Sequence, residues 1–218
     1  MPQIVTFIGW HNSGKTTLAT HVVKHLKESG YRVAVIKSSK ETGLTFDKPG
    51  TDTDKHRQAG ADSILFVAPD QMVLMTRNNH LSLTALALRY FPDVDIVIGE
   101  GFKTADNVAK IEVIRDAGEL LRNKVTGVIA VATDQNIAGD YIFQLNESRA
   151  IASFIEKRFL LDAGKKEENV SLLVNGAPIS LKEFEQDTLT ETVSNFVQSL
   201  NVSDDAQEIE LRIKLKRP

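Results

Sequence analysis

Apolar residues fall into short runs along the first 130 positions, separated by polar or glycine-bearing stretches. Ile4-Val5-Thr6-Phe7-Ile8 has the length of one buried strand. Residues 16–29 then change period: Leu18, Val22 and Leu26 recur every four residues with Lys24, Lys27 and Glu28 between them, which predicts a helix that Gly30 stops. Residues 32–37 predict a second strand, so the opening is a strand, loop, helix, strand unit with a right-handed crossover. Residues 38–54 turn polar around Gly43, Pro49 and Gly50 and predict a long loop. Residues 63–68 and 71–76 flank Pro69-Asp70 as a strand and a short partner, and residues 82–90 predict a helix. Residues 94–100 and 125–132 are apolar at nearly every position, the pattern of strands covered on both faces in a mostly parallel sheet. A further helix is predicted over 147–159.

The charged stretch 162–169 marks a boundary between a first domain, 1–160, and a small C-terminal α+β module, 170–218. In that module Asn175-Gly176 joins two short apolar runs as a hairpin turn, because both residues tolerate positive φ. Leu189, Val193, Phe196, Val197 and Leu200 line one face of a helix over 181–200. Ile209, Leu211, Ile213 and Leu215 alternate with charges and predict a last strand over 208–216.

The turn after the first strand carries the chemistry. Gly9-Trp10-His11-Asn12-Ser13-Gly14-Lys15-Thr16-Thr17 fits G-x-x-x-x-G-K-[ST] in the one context where that pattern has a mechanism, between a buried strand and a helix start. Gly9 and Gly14 let the backbone curl, so that N–H groups from Asn12 to Thr17 face phosphate oxygens at the positive end of the helix. Lys15 is expected on the β- and γ-phosphates and Thr16 on Mg²⁺. The fold class is therefore α/β, a P-loop nucleotide-binding domain with helices flanking its sheet.

Such a site also needs an acid for metal or water and a residue to read the base. Glu100 emerges at a strand's carboxyl end, where it can hold Mg²⁺ or polarise water, or be satisfied by nearby backbone N–H groups. Asp47 and Asp52 can reach a metal's hydration shell and Arg57 can offset phosphate charge; alternatively, Asp52 or Thr53 caps a short helix running to Ala59. Asp134 ends another strand, as base-reading residues do, but stands without an Asn-Lys-x-Asp pattern and serves a turn equally well. His11 and His56 lack metal-ligand spacing, while His21 and His25 lie one helical turn apart without an accompanying acid motif, and all four are read as structural or solvated.

Composition narrows the partners and the compartment. With 26 basic and 29 acidic residues the net charge is −3, so neither nucleic acid nor an anionic membrane is expected as the main partner. The absence of cysteine excludes disulfides, thiolate metal sites and cysteine nucleophiles, and fits a reducing cytoplasm. The opening residues enter a strand directly and no apolar run approaches the length that spans a bilayer, so a soluble, cytoplasmic protein without a leader is expected.

Four motifs in order resemble the molybdopterin-guanine dinucleotide biosynthesis adaptor (MobB) family: the phosphate loop, Asp47-Lys48-Pro49-Gly50-Thr51-Asp52-Thr53 with Arg57 and Ala59-Gly60-Ala61, Glu100-Gly101-Phe102-Lys103, and Lys110-Ile111-Glu112-Val113-Ile114-Arg115. The resemblance runs from Met1 to about Phe159. It implies GTP and Mg²⁺ as ligands, slow hydrolysis at most, a homodimer, and work beside the molybdenum cofactor guanylyltransferase, with molybdopterin as a further ligand. It assigns Lys15 and Thr16 to phosphate and metal, Glu100 and Asp47 to metal or water, and Lys103, Lys110 and Arg115 to an anionic-ligand surface. Lys37 is followed by Ser38-Ser39 where many members carry histidines, so no contact of that kind is expected here. The competing reading is a P-loop phosphotransferase or ligase for a small metabolite, which shares the opening motif but calls for an arginine-rich lid and an acceptor motif that the chain does not display. A third reading, compatible with the first, gives the C-terminal module the task of recruiting the partner.

Overall fold

The computed structural model describes residues 2–115, 119–161, 170–200 and 206–215. Strand β1 (Gln3–Ile8) leads through the phosphate loop to helix α1 (Lys15–Glu28) and strand β2 (Val33–Lys37). Helix α2 (Asp52–Gln58), the β3 (Ser63–Val67) and β4 (Met72–Thr76) strands, and helix α3 (Leu83–Tyr90) follow. Strands β5 (Ile96–Glu100), β6 (Ala109–Ile114), β7 (Val128–Thr133) and β8 (Ile142–Phe143) complete a six-stranded sheet of order β2-β5-β1-β6-β7-β8. Each of its pairings is parallel, as the fully apolar runs predict.

Two helical layers sandwich that sheet. Leu18, Ala19, Val22 and Leu26 of α1 pack on Val5, Phe7, Ile98, Ile111 and Val113, joined by Ile151, Ala152 and Ile155 of helix α4 (Ser148–Ile155). Their four-residue spacing makes this one continuous stripe, and burying each large side chain contributes about 1.5–3 kcal/mol. On the opposite face Ala87 of α3 meets Ala34 and Val97. Helix α4 runs on into a turn of π pitch, Glu156–Leu160, reaching one residue past the predicted end.

Two strands escape the sequence pattern, and a helix starts earlier than the predicted loop allows. β6 lies in the middle of the sheet yet carries Lys110 and Glu112, both buried, so it does not read as an apolar run. β8 has only two residues. Helix α2 begins inside the predicted loop, capped by Thr51, whose side chain accepts from the Asp54 N–H at 3.3 Å. β3 and β4 pair antiparallel as a hairpin outside the central sheet.

Beyond residue 169, β9 (Leu172–Val174) and β10 (Ala177–Ile179) form the expected hairpin around Asn175, whose φ is +52°. β10 rests against α3, and helix α5 (Glu183–Ser199) follows with the Glu185 carboxylate accepting from the Lys182 N–H at 2.7 Å. The strand predicted over 208–216 is not formed across residues 208–215, and Lys216 lies outside the described residues. Alternation supplies the faces of a strand, but a strand also needs a neighbour for its N–H and C=O groups, and Leu211, Ile213 and Leu215 stay exposed. The predicted boundary stretch 162–169 likewise lies outside the described residues.

Candidate functional site

The site stands at the carboxyl edge of the parallel sheet, and strand order builds it. β1 sits between β5 and β6, while the next strand in sequence, β2, lies beyond β5. This reversal opens the crevice where open α/β sheets bind ligands. The loop from Gly9 to Gly14 fills it.

Glycine is required at both ends of that loop. A Cβ on Gly9, at φ +157°, would lie 2.2 Å from the backbone oxygen of Val113 in β6. Gly14 has φ +92° and turns the chain into α1 with no side chain capping the helix, whose first N–H groups have no partner within the helix itself. Asn12 sits at φ +59° and Ser13 is buried, its N–H donating to the Trp10 carbonyl at 3.3 Å. The Lys15 ammonium curls over this frame, donating to the Trp10 carbonyl at 2.5 Å and to Ser13 Oγ at 3.3 Å. Burial lowers the Lys15 pKa; Glu100 opposes the shift, while Lys37 and Lys103 add to it by repulsion.

Glu100 ends β5 beside α1, and its carboxylate is nearly buried. Its Oε1 accepts from the Thr16 hydroxyl at 2.6 Å and pairs with Lys37 Nζ at 3.0 Å. The Lys37 ammonium also lies 3.4 Å from Thr16 Oγ1. Backbone bonds fix the frame: Ser38 N–H donates to the Glu100 carbonyl at 2.9 Å and Gly101 N–H to that of Phe7 at 2.9 Å. Thr17 is exposed on the first turn of α1. Lys103 Nζ stands 4.8 Å above the Trp10 ring centre, and Trp10 Nε1 donates to the Glu119 carbonyl at 2.9 Å. Arg115 follows β6, and a Cβ on Gly14 would come within 3.3 Å of its guanidinium.

The remaining sequence candidates divide. Asp134 is exposed just past β7 on the same edge, two strands from β1, where its Oδ1 accepts from the Leu145 N–H at 3.3 Å. Asp47 makes its contacts within its own loop, accepting from the hydroxyls of Thr51, at 2.8 Å, and Thr53. Those bonds hold its carboxyl below the usual range. Asp52 pairs with Lys55 on the surface, and Arg57 is held by the buried Asp54. The cap of α2 is thus Thr51, one residue before the pair weighed from the sequence. Lys110 does not line an anionic surface: it is buried, and its ammonium donates to the carbonyls of Ala105, Thr126 and Val108 at 2.6, 2.9 and 3.2 Å. Glu112, also buried, accepts from the N–H groups of Leu121 and Arg122 at the start of a 3₁₀ turn. Lys37 is the site residue that sequence reasoning missed, although a lysine ending a strand at the carboxyl edge was its signal.

A parallel sheet, a glycine-framed loop at the end of its central strand, and a lysine and threonine opening the following helix define a P-loop nucleotide-binding protein of the α/β class. The family model for molybdopterin guanine dinucleotide synthesis protein B, MobB, matches residues 4–134, more than half of the chain. The chain belongs to the MobB family. The molybdopterin-guanine dinucleotide biosynthesis adapter protein of Escherichia coli is 32% identical over 163 residues, covering 71% of this chain and 92% of that protein. A putative adapter of the same name from Methanocaldococcus jannaschii is 26% identical over 238 residues and spans 99% of both chains, so its similarity reaches into the segment beyond α4. Among solved structures, a crystal structure of molybdopterin-guanine biosynthesis protein B superimposes with a TM-score of 0.60 at 30% identity, covering 71% of this chain and 98% of that one. Bacillus subtilis MobB, at 21% identity and a TM-score of 0.59, shares the fold.

Proposed function

We propose that this chain is a GTP-binding adaptor that assists the attachment of GMP to molybdopterin, hydrolysing GTP slowly with Mg²⁺ and working as a homodimer beside the guanylyltransferase in the cytoplasm. The observation that carries the nucleotide part is the Thr16–Glu100 pair, 2.6 Å apart at the mouth of a loop whose glycine a Cβ would jam against β6. A hydroxyl and a carboxylate are hard oxygen donors, which suits Mg²⁺.

On this reading Lys15 leaves the Trp10 carbonyl for the β- and γ-phosphates, and the N–H groups from Asn12 to Thr17 donate to the remaining phosphate oxygens. Thr16 and Glu100 would hold Mg²⁺ through their oxygens, and the ion would supply neutralisation of charge on the transferring phosphate. Glu100 also orients the attacking water. Asp134 stands on the side where a base would be read, and Asp47 reaches the metal only by giving up Thr51 and Thr53. Apolar side chains exposed on both strands of the β3–β4 hairpin, Leu65, Phe66, Val67, Met72, Val73 and Leu74, support the dimer. No described helix is long and apolar enough to cross a membrane.

Calorimetric titration of the full chain with GTP, GDP and ATP in Mg²⁺ tests the nucleotide. Guanine nucleotides should bind at least about tenfold more tightly than ATP, a difference of about 1.4 kcal/mol, and Lys15→Ala should abolish binding. Equal affinity for both bases, or steady phosphoryl transfer to a metabolite, would instead favour the phosphotransferase reading. Co-purification with the guanylyltransferase tests the adaptor role, and its loss on deleting residues 170–218 would assign recruitment to the C-terminal module.

A further inference from the structure

We propose that Lys37 is the resident counter-cation of the phosphate site, and that its competition with a divalent metal for Glu100 and Thr16 makes metal entry depend on arrival of the polyphosphate. The inference rests on the reading of Thr16 and Glu100 as the metal side of a nucleotide site. Its first support is register. β2 pairs with β5 so that Lys37 stands directly opposite Glu100, and a slip of one residue would turn the lysine to the other face of the sheet.

Geometry supplies the second. The ammonium lies 3.0 Å from Glu100 Oε1 and 3.4 Å from Thr16 Oγ1, the two oxygens the site offers a metal. Mg²⁺ demands about 2.0–2.1 Å to each ligand oxygen, so ion and ammonium cannot share the same lone pairs. The lysine side chain is 58% exposed while that of Glu100 is 11% exposed, so one partner is free to swing and the other is fixed.

Charge supplies the third. Lys37 pairs with Glu100, and the charges of Glu100, Lys37 and Lys103 all act on Lys15, three cations to one carboxylate within this group. A divalent ion arriving alone meets an excess of positive charge. A triphosphate reverses the balance: it draws Lys15 and Lys37 onto its oxygens and frees Glu100 for the metal. Lys37 occupies Glu100 and Thr16 in place of the metal until it is displaced, and is a phosphate ligand afterwards.

The test uses Mn²⁺ as the probe, with free ion followed by electron paramagnetic resonance in the full-length protein. Without nucleotide, Lys37→Met should bind Mn²⁺ about tenfold more tightly than the parent chain, whereas Lys37→Arg, which keeps the charge, should bind as weakly as the parent. In chelator, Lys37→Met should bind a slowly hydrolysed GTP analogue about tenfold more weakly, since one phosphate cation is gone. Equal Mn²⁺ affinity in the parent and Lys37→Met overturns the proposal. If the parent binds the analogue together with Mn²⁺ and Lys37→Met behaves identically, the Lys37 inference alone falls. If the parent binds neither, the nucleotide reading falls with it.

Discussion

Lys110→Met separates a structural lysine from a ligand-binding one, because the two roles predict opposite results. The residue is 1% exposed in the middle of the sheet, and its ammonium serves three carbonyls at 2.6, 2.9 and 3.2 Å. Methionine keeps the length and apolar stem of the side chain and removes the donor. The Ala105 and Thr126 carbonyls belong to residues with partial access to solvent and can turn to water, whereas Val108 is buried and its carbonyl keeps no substitute for the ammonium. One buried acceptor left unpaired costs about 1–3 kcal/mol, and losing charge-assisted bonds at the other two adds to it. Relief from burying the ammonium offsets part of this sum. A net loss of about 2 kcal/mol follows, which for a chain of this size lowers Tm by about 4–8 °C. Urea denaturation followed by circular dichroism should show the midpoint fall with an unchanged slope, while GTP affinity stays at the parent value. A variant that melts like the parent but binds nucleotide or another anion weakly would refute the reasoning and return Lys110 to the ligand surface.

Gly9→Ala should lose about 1–3 kcal/mol of stability and all measurable nucleotide binding in calorimetry, because the added Cβ meets the Val113 carbonyl of β6 at 2.2 Å. Gly30→Ala is the control: its φ is +92° with nothing within 4 Å, so it should cost about 1 kcal/mol and leave binding intact. Acid should weaken the chain through Asp54 and Asp47. Asp54 is held below its ordinary 3.8 by the Gly50 N–H and by Arg57, and Asp47 below the same value by Thr53 and Thr51. Depressed carboxyl pKa values give stability that is full above the unfolded value and lost as pH falls below about 4, so the urea midpoint should drop from pH 6 to pH 3 and drop less in Asp54→Asn. Leu74→Glu on the exposed hairpin should shift sedimentation from dimer to monomer without changing GTP affinity; a monomeric parent chain would dismiss that interface.

The segments legible in the sequence are those whose causes are local. The loop from Gly9 to Thr17 follows from turn chemistry, and α1 from the spacing of Leu18, Val22 and Leu26, each complete within one stretch of chain. β6 was illegible because its buried charges are satisfied by Ala105, Val108, Thr126, Leu121 and Arg122, partners that only the folded backbone assembles. The tail over 208–215 fails for the converse reason, a strand pattern whose partner the pattern cannot supply. The same distinction holds within the site. Lys15, Thr16 and Glu100 were readable from motif and strand end, but the pairing of Lys37 with Glu100 is a property of sheet register, and the retention of Asp47 by Thr51 and Thr53 a property of loop folding.

Strand order also assigns the two sides of the proposed nucleotide different work. Glu100 and Lys37 reach the loop from β5 and β2, on one side of β1, while Arg115 and Asp134 follow β6 and β7 on the other. The acid that suits a metal is thus separated by the phosphate loop from the acid that suits a base. If the nucleotide lies across β1 in that sense, its two recognition terms are independent and should add. Glu100→Gln should then reduce the preference for triphosphate over diphosphate in Mg²⁺ while keeping guanine over adenine, and Asp134→Ala should do the reverse. A direct guanine contact by a carboxylate is a charge-assisted hydrogen bond worth about 1.5–3 kcal/mol, so Asp134→Ala should cost at least about tenfold in GTP affinity and nothing in ATP affinity. An Asp134→Ala variant with unchanged base selectivity would leave that residue with the turn it makes to Leu145 and move base reading to another residue of the same edge.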